Sequence, residues 1–221
     1  MLVTWCVKLS DAMNLTPQQQ RLLLDAAREV IRRAARGRGE TLADEFPIPD
    51  PPDPLLLEPA GCFVSLHDLS SKRLRGCVGR LDAKHPIWHA VHLTAASVLQ
   101  DPRFSQDPVR NDELGALEIE ITVLSPLCDC QHVLDFEPMQ DGIYLTIGEN
   151  SGCFLPQVAR MTGWTREQLL ERLCAEKLGL DPACWRHEPS ARLQRFTTLI
   201  IGPEPFEGSP VAVGGNEFPA C

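Results

Sequence analysis

The clearest structural signal in this chain is the segment Leu117-Glu118-Ile119-Glu120-Ile121-Thr122-Val123-Leu124. Its apolar residues alternate with polar ones, so one face of an extended backbone is apolar and the other carries Glu118, Glu120 and Thr122. A period of two is typical of a strand in an antiparallel sheet that has one face on the core. We therefore predict a half-buried antiparallel strand within residues 115–124.

Helices and further strands surround this segment without a regular strand–helix alternation. Thr16 and Pro17 are typical of a helix start, and apolar residues recur at helical spacing from there to about Ala35. A second helix is predicted at 85–100, and a third begins at Thr165 with a capping box to Gln168. The other predicted strands are 62–66, 73–79, 142–147 and 193–201. This order predicts an α+β fold, a mainly antiparallel sheet flanked by helices, rather than a doubly wound sheet.

The composition of the 221 residues restricts the class of protein. Hydrophobic residues make up 43% and charged residues 23%, which predicts a folded, globular chain. The formal net charge of −9 argues against nucleic-acid binding, because phosphate groups need a basic surface. No apolar run approaches the ~20 residues of a membrane span, and the N-terminus lacks the features of a secretory signal. The sequence therefore predicts a cytoplasmic protein that binds neither nucleic acid nor membrane.

One domain is predicted, with added segments at both ends. Residues 1–12 are predicted to be an N-terminal addition, because the first helix signal follows Met13. The domain itself is predicted to span 13–206, and 207–221 is predicted to be a flexible tail without periodicity. Within the domain, residues 41–60 form a proline-rich insert. Because proline fixes φ and lacks a backbone donor, this insert is expected to be an extended connection and not a packed element.

Nine cysteines are scattered along the chain. An odd number without an export signal indicates free thiols in a reducing compartment rather than a disulfide framework. The nearest approach to a metal-binding cluster is Cys128-Asp129-Cys130-Gln131-His132, which we interpret as loop thiols because the spacing of zinc sites is absent. We predict no metal site and no cofactor.

The segment Leu74-Arg75-Gly76-Cys77-Val78-Gly79 has the strongest signal of chemistry. Its glycines would let the backbone approach a ligand closely or present N–H groups to an anion. Residues 72–84 carry several basic side chains, and positive neighbours favour the nucleophilic form of a thiol such as that of Cys77. The other interpretation is a buried structural cysteine on a tight strand.

Proton transfer at Cys77 would need an acid or a base nearby. The histidines closest in sequence are His67, His85, His89 and His92. Glu118 and Glu120 share one face of a predicted strand, where they would form an acid/base pair in a cleft or simply be hydrated on a surface. After the second helix, Asp101 is expected to cap a turn and Arg103 to pair with a carboxylate.

Four segments, in order, resemble the AMMECR domain family, also called AmmeMemoRadiSam system protein A. They are 74–79, Asp101-Pro102-Arg103-Phe104, 117–124, and Phe154-Leu155-Pro156-Gln157-Val158-Ala159 followed by Gly163-Trp164. The first is the family's signature, in which isoleucine is usual at the position of Val78. The resemblance extends from about Thr16 to Phe206. This chain departs from the family in its proline-rich insert, its additional cysteines and both ends.

The resemblance implies two unequal lobes, the larger holding both chain ends, with the signature near the groove between them. It also implies a Memo-like protein and a radical SAM protein as partners, but no settled reaction. The CxxxCxxC run that a radical SAM cluster requires is missing from this chain, so a partner would have to supply that chemistry.

Two hypotheses for the function follow. In the first, the chain is an enzyme or enzyme component that acts on a small anionic substrate, with Cys77, Glu118 and Glu120 as catalytic residues. The residues expected to bind the substrate are Arg75, Gly76, Gly79 and Arg103. In the second, the chain is a non-catalytic adaptor for a protein partner, and Cys77 is structural.

Overall fold

The computed structural model describes residues 14–37 and 48–207. The predicted N-terminal addition, the predicted tail after residue 207 and the part of the proline-rich insert before residue 48 lie outside these residues. The described chain forms two hydrophobic cores, each on a four-stranded antiparallel sheet with helices packed against it. The predicted α+β class is confirmed.

The elements alternate irregularly along the chain. The helices are α1 (Pro17–Arg36), α2 (Ile87–Ser97), α3 (Pro156–Thr162) and α4 (Arg166–Leu173). The strands are β1 (Gly61–Asp68), β2 (Leu74–Arg80), β3 (Leu117–Leu124), β4 (Cys128–Asp129), β5 (Gly142–Ile147), β6 (Asn150–Phe154), β7 (Arg192–Phe196) and β8 (Thr198–Pro205).

Helix α1 begins where the sequence predicts. The Gln19 N–H donates to the Thr16 hydroxyl at 3.3 Å, and the Thr16 N–H donates to the Gln19 side-chain oxygen at 2.8 Å. This capping box satisfies two backbone donors that a helix start leaves free. Neither α1 nor any other helix in the described part of the chain has both the length and the apolar character needed to cross a membrane.

The first sheet, in the order β2-β1-β3-β8, belongs to the larger core. Helices α1 and α2 cover one of its faces, where Cys62, Val64 and Leu66 of β1 are fully buried. This sheet and its two helices form the larger lobe, which holds α1 and β8, the first and last helices or strands of the described chain. Its other face is polar and carries the residues of the candidate site.

The second sheet has the order β4-β7-β5-β6 and supports a smaller core. Helix α4 packs its leucines into this core and continues into a π-helical turn, Cys174–Leu178. Neither β6 nor α3 is among the sequence predictions, because both are short.

The chain passes from the second sheet to the first at Thr197. The prediction of one strand over 193–201 is therefore wrong, since β7 and β8 belong to different sheets. Ser125, at the other crossing, donates its N–H to the Thr197 carbonyl at 3.0 Å, and the Thr197 N–H donates to the Ser125 hydroxyl at 3.0 Å. The apolar pattern continues across this crossing, so periodicity alone does not reveal it.

The described part of the proline-rich insert is packed against the larger core, which corrects the expectation of an extended connection. A 3-10 helix spans Pro54–Leu57, and Leu56 within it is fully buried. The indole N–H of Trp88 donates to the Pro49 carbonyl at 2.7 Å. Proline therefore shapes this segment without keeping it off the core.

Candidate functional site

Cys77 lies on β2, an edge strand of the first sheet. The register pairs Cys77 with Ser65 on β1, and Ser65 with Glu120 on β3. Residues paired directly in an antiparallel sheet have their side chains on the same face, so these three form a row across three strands. This face is opposite to the one covered by α1 and α2.

A second polar row lies beside the first. His67 on β1 pairs with Glu118 on β3, and both are two positions along from the first row, hence on the same face. Glu118 and Thr122 are buried, and His67 and Glu120 are half-buried. Strand β3 is therefore covered on both faces, so the expectation of a half-buried strand and the alternative of a hydrated carboxylate face are both wrong.

An aspartate–arginine pair holds the backbone of Cys77 at the outer edge of β2. The Cys77 N–H donates to Asp101 Oδ2 at 2.9 Å, and Arg103 Nη2 donates to the Cys77 carbonyl at 2.9 Å. Arg103 also donates to both carboxylate oxygens of Asp101, from Nε at 3.0 Å and from Nη2 at 2.7 Å. The two side chains thus supply hydrogen bonds that a further strand would otherwise make. The predicted pairing of Arg103 with a carboxylate is confirmed.

The same pair brings a positive charge to the sulfur of Cys77. The hydrogen bond from Arg103 holds the pKa of the buried Asp101 carboxyl at about 2, against the opposing effect of burial. Asp101 in turn raises the pKa of Arg103, and the Cys77 sulfur raises it further through its charge and a side-chain hydrogen bond. Because the Arg103 side chain is 58% exposed, the cation that contacts Cys77 also faces solvent.

Arg75 lies at the irregular point of the pairing between β1 and β2. Its guanidinium is buried, with Nη1 3.5 Å from Glu113 Oε1 and Nη2 3.6 Å from Asp107 Oδ2. These ion pairs anchor the segment after Arg103 to β2. The predicted role of Arg75 in substrate binding stays a prediction.

Glu118 and Glu120 have different surroundings. Lys72 Nζ donates to Glu118 Oε2 at 2.6 Å, whereas Glu120 accepts a hydrogen bond from the Thr122 hydroxyl at 3.4 Å. Burial raises the pKa of Glu120, His67 lowers it, and Glu118 raises it again to a smaller extent. A carboxyl group with a raised pKa beside a histidine is suited to proton transfer. The predicted catalytic role of both glutamates stays a prediction.

Gly76 and Gly79 meet packing requirements on opposite faces of β2. Neither has a positive φ, so what each needs is space. A Cβ on Gly76 would lie 2.8 Å from the Val98 carbonyl oxygen, and one on Gly79 would lie 2.0 Å from Phe63 Cδ1. Gly76 therefore admits the segment after α2, and Gly79 admits the Phe63 ring. Their predicted contact with substrate stays a prediction.

Gly79→Ala is expected to lower the free energy of unfolding by about 1–3 kcal/mol, because the added methyl group overlaps the Phe63 ring. Urea denaturation measures this difference. Gly115→Ala is the control, since its Cβ would meet no atom closer than 3.4 Å. Equal stability of the two alanine variants would show that the packing of the Phe63 ring does not require a glycine at position 79.

The second lobe carries a thiol whose pKa responds to Cys77. Burial raises the pKa of Cys153 on β6, Lys177 lowers it, and Cys77 raises it. Cys77 and Cys153 are therefore linked electrostatically, although they lie on different sheets. Lys177 is exposed, and its Nζ lies 5.9 Å from the centroid of the Phe154 ring. The position of the signature near the groove between the lobes, which the family resemblance implies, stays a prediction.

Of the four histidines near Cys77 in sequence, His67 shares its face of the sheet. His89 and His92 lie on α2, on the other side of the sheet, where His92 Nδ1 lies 2.7 Å from the Trp88 carbonyl oxygen. His85 precedes α2, and its carbonyl accepts the N–H of Ala60 at the start of β1. The sequence alone did not single out His67 from the other three histidines. Once the pairing of Ser65 with Cys77 is known, the alternation of side chains along β1 places His67 on the same face as Cys77.

The other described cysteines form no metal site. Within residues 14–37 and 48–207, no group of three or more His, Cys, Asp or Glu side chains could hold a metal ion. The described free thiols are Cys62, Cys77, Cys130, Cys153, Cys174 and Cys184. Cys128 is disulfide-bonded, which departs from the expectation of free thiols. Segment 129–131 borders a polar cavity of about 470 Å³ in the second lobe, and Cys77 is not among its lining residues.

The geometry can be compared with known proteins. A sequence profile of the AMMECR1 family matches residues 24–201. The chain belongs to the AMMECR1 family. The resemblance seen in the four sequence segments is thereby confirmed, and the matched range contains both the signature and the Asp101–Arg103 pair.

Relatives of this AMMECR1-family chain match most of its length. A protein of Thermococcus gammatolerans is 34% identical over 188 residues, which cover 80% of this chain and 90% of the relative. A protein of Methanocaldococcus jannaschii is 31% identical over 194 residues, which cover 85% and 91%. The crystal structure of an uncharacterized protein from Pyrococcus horikoshii has 30% identity and a TM-score of 0.69, covering 80% of this chain and 88% of that one.

Proposed function

We propose that this AMMECR1-family protein is a cytoplasmic enzyme, or a component of one, in which the Cys77 thiol acts on a small anionic substrate. The observation that carries the proposal is the contact of the Arg103 guanidinium with Cys77, fixed by Asp101. A cation beside a sulfur atom stabilises negative charge on it and favours its nucleophilic form. Cys77 is half-buried rather than sealed in the core, so a substrate would reach it.

The cations around Cys77 support an anionic substrate. Arg103 contacts Cys77, Lys177 lowers the pKa of Cys153, and both cations are exposed, so each would bind a carboxylate or phosphate group beside a thiol. Arg75 is less suited to this role, because Asp107 and Glu113 already neutralise its charge. Gly76 and Gly79 then contribute by allowing β2 to lie where Cys77 reaches the groove.

Glu120 is better placed than Glu118 to exchange protons with the substrate. Lys72 Nζ already forms an ion pair with Glu118 Oε2 at 2.6 Å. Burial raises the pKa of Glu120, so this carboxyl group gains and loses a proton more readily near neutral pH than an exposed one.

The partners in this proposal are a Memo-like protein and a radical SAM protein. Their support is the family resemblance, together with the absence from this sequence of the cysteine run that a radical SAM cluster requires. In such an assembly this chain would bind and position the anionic substrate.

A non-catalytic adaptor is the second candidate. It is favoured by the packing roles of Gly76 and Gly79, which explain the signature without any chemistry at Cys77. In that case the Asp101–Arg103 pair would serve to close the edge of β2.

Iodoacetate and iodoacetamide test the proposal, because they carry the same electrophilic carbon and differ in charge. The measured quantity is the rate of Cys77 with iodoacetate, the anionic reagent, divided by its rate with iodoacetamide, the neutral one. We expect this ratio to be at least about threefold higher in the folded protein than in the urea-unfolded chain, because nearby cations attract the anionic reagent. Peptide-resolved mass spectrometry distinguishes Cys77 from Cys153. A ratio no higher than in the unfolded chain would contradict an anion site. If Cys77→Ser also left partner binding intact, the adaptor would be supported.

A further inference from the structure

His67 has a polar atom that the fold leaves unsatisfied. Its Nδ1 is shielded from solvent and has no hydrogen-bond partner among the residues that the structure describes. Buried polar groups without partners are rare and frequently mark sites of chemistry. This unpaired ring nitrogen therefore indicates that His67 has a role beyond packing.

The sheet places His67 diagonally from both Cys77 and Glu120. Ser65 is directly opposite each of these residues, and His67 lies two positions further along the same strand. Diagonal neighbours on one face have their Cα atoms about 7–8 Å apart, within reach of an aromatic side chain. Strand β1 runs between β2 and β3, so His67 is a diagonal neighbour of both the thiol residue and the carboxyl residue.

The charges around His67 single out Glu120 as its carboxylate neighbour. The charged and titratable groups on or beside this face belong to several elements. They are Cys77 from β2, Glu118 and Glu120 from β3, Lys72 from the turn between β1 and β2, Arg103 at the outer edge of β2, and Cys153 and Lys177 from the second lobe. Glu118 is already paired with Lys72, whose Nζ lies 2.6 Å from its Oε2. The register makes His67 and Glu120 diagonal neighbours, and His67 lowers the pKa of Glu120.

We infer that His67 exchanges a proton with the Cys77 thiol and that Glu120 orients the imidazole. The S–H bond of Cys77 breaks, and its proton passes to a ring nitrogen of His67. The sulfur then forms a bond to an electrophilic atom of the substrate, the leaving group departs with its electron pair, and His67 returns the proton to it. His67 is the catalytic residue in this step and Glu120 a positioning residue. The inference rests on the proposed function of Cys77.

The test is the rate of Cys77 alkylation by iodoacetamide between about pH 5 and about pH 9, the range over which histidine ordinarily titrates. In this reaction the sulfur bonds to the methylene carbon and iodide leaves. His67→Gln is expected to lower the rate near neutral pH at least about fivefold, with the difference vanishing at the alkaline end, where the thiol ionises unaided. Glu120→Gln is expected to lower it by a smaller factor. His187→Gln, an exposed histidine of the second lobe, is the control and should leave the profile unchanged.

The outcomes separate this inference from the proposed function. If His67→Gln and the wild type share one pH profile, while Cys77 remains more reactive than in the unfolded chain, the inference is wrong and the proposed function stands. If Cys77 is no more reactive than in the unfolded chain, the proposed function fails together with the inference. His67→Asn is measured alongside, and circular dichroism checks that each variant is folded.

Discussion

Asp101→Asn is expected to lower the free energy of unfolding by about 2 kcal/mol at neutral pH. The carboxylate is buried, and folding lowers its pKa from an ordinary 3.8 to about 2, a difference that corresponds to about 2 kcal/mol. The neutral amide keeps the shape of the side chain but loses its charge. Urea denaturation of both proteins measures the effect.

The effect of Asp101→Asn should depend on pH in a defined direction. A carboxyl group whose pKa is lowered by folding stabilises the protein above its unfolded pKa and loses this effect as pH falls through its folded pKa. The difference between wild type and variant should therefore shrink as pH falls from about 4 to about 2. Asp82→Asn, at a largely exposed aspartate paired with Lys84, is the control and should cost less than about 0.5 kcal/mol. If the difference in free energy of unfolding between wild type and Asp101→Asn stayed constant over this pH range, it would not arise from the lowered pKa of Asp101.

Arg103→Met is expected to slow the alkylation of Cys77 by iodoacetamide at neutral pH about tenfold, which corresponds to about 1.4 kcal/mol. The reason is the loss of the cation that lies at Cys77, where Arg103 donates to the carbonyl at 2.9 Å and the Cys77 side chain raises the pKa of Arg103. Methionine keeps much of the apolar volume of the arginine stem. Because the buried Asp101 carboxylate loses its partner, the variant is also expected to be less stable, and its rate is compared under conditions where circular dichroism shows it folded.

Two further variants sharpen this result. Arg103→Lys should recover part of the rate, because it restores the charge but not the forked contacts with Asp101 and the Cys77 carbonyl. Arg110→Met is the matched control, an exposed arginine whose contacts are with Asp112 and Glu113. A rate in Arg103→Met within twofold of the wild type would show that the guanidinium does not activate the thiol.

The elements that the sequence predicted well depend on local signals. The start of α1 follows from the side chains of Thr16 and Gln19, and β5 matches the predicted range 142–147. The alternation in β3 likewise identified its core face correctly. Each of these features is determined by residues a few positions apart.

The errors have non-local causes. The division of 193–201 into two strands depends on which sheet each half joins, and one apolar pattern fits both. Burial of the polar face of β3 depends on what packs over the first sheet, which strand periodicity does not encode. The packed proline-rich segment depends on distant contacts, such as that between Trp88 and Pro49.

The candidate site shows the same division. Cys77 stood out because glycines and basic residues surround it in sequence. Arg103 was expected to pair with a carboxylate, and the structure identifies that carboxylate as Asp101. The alignment of His67 with Cys77 and the electrostatic link between Cys77 and Cys153 depend on register and lobe packing. The basic neighbours also drew attention to Arg75, whose guanidinium forms ion pairs with Asp107 and Glu113 and whose role in substrate binding stays a prediction.

The central claim is that the fold makes the sulfur of Cys77 both reachable and reactive. The most direct measurement is the rate constant for iodoacetamide at Cys77 near neutral pH, in the folded protein and in the urea-unfolded chain, resolved by peptide. The account predicts a rate in the folded protein at least about threefold higher, because Arg103 stabilises charge on the sulfur. A folded protein that reacts more slowly than the unfolded chain would contradict it.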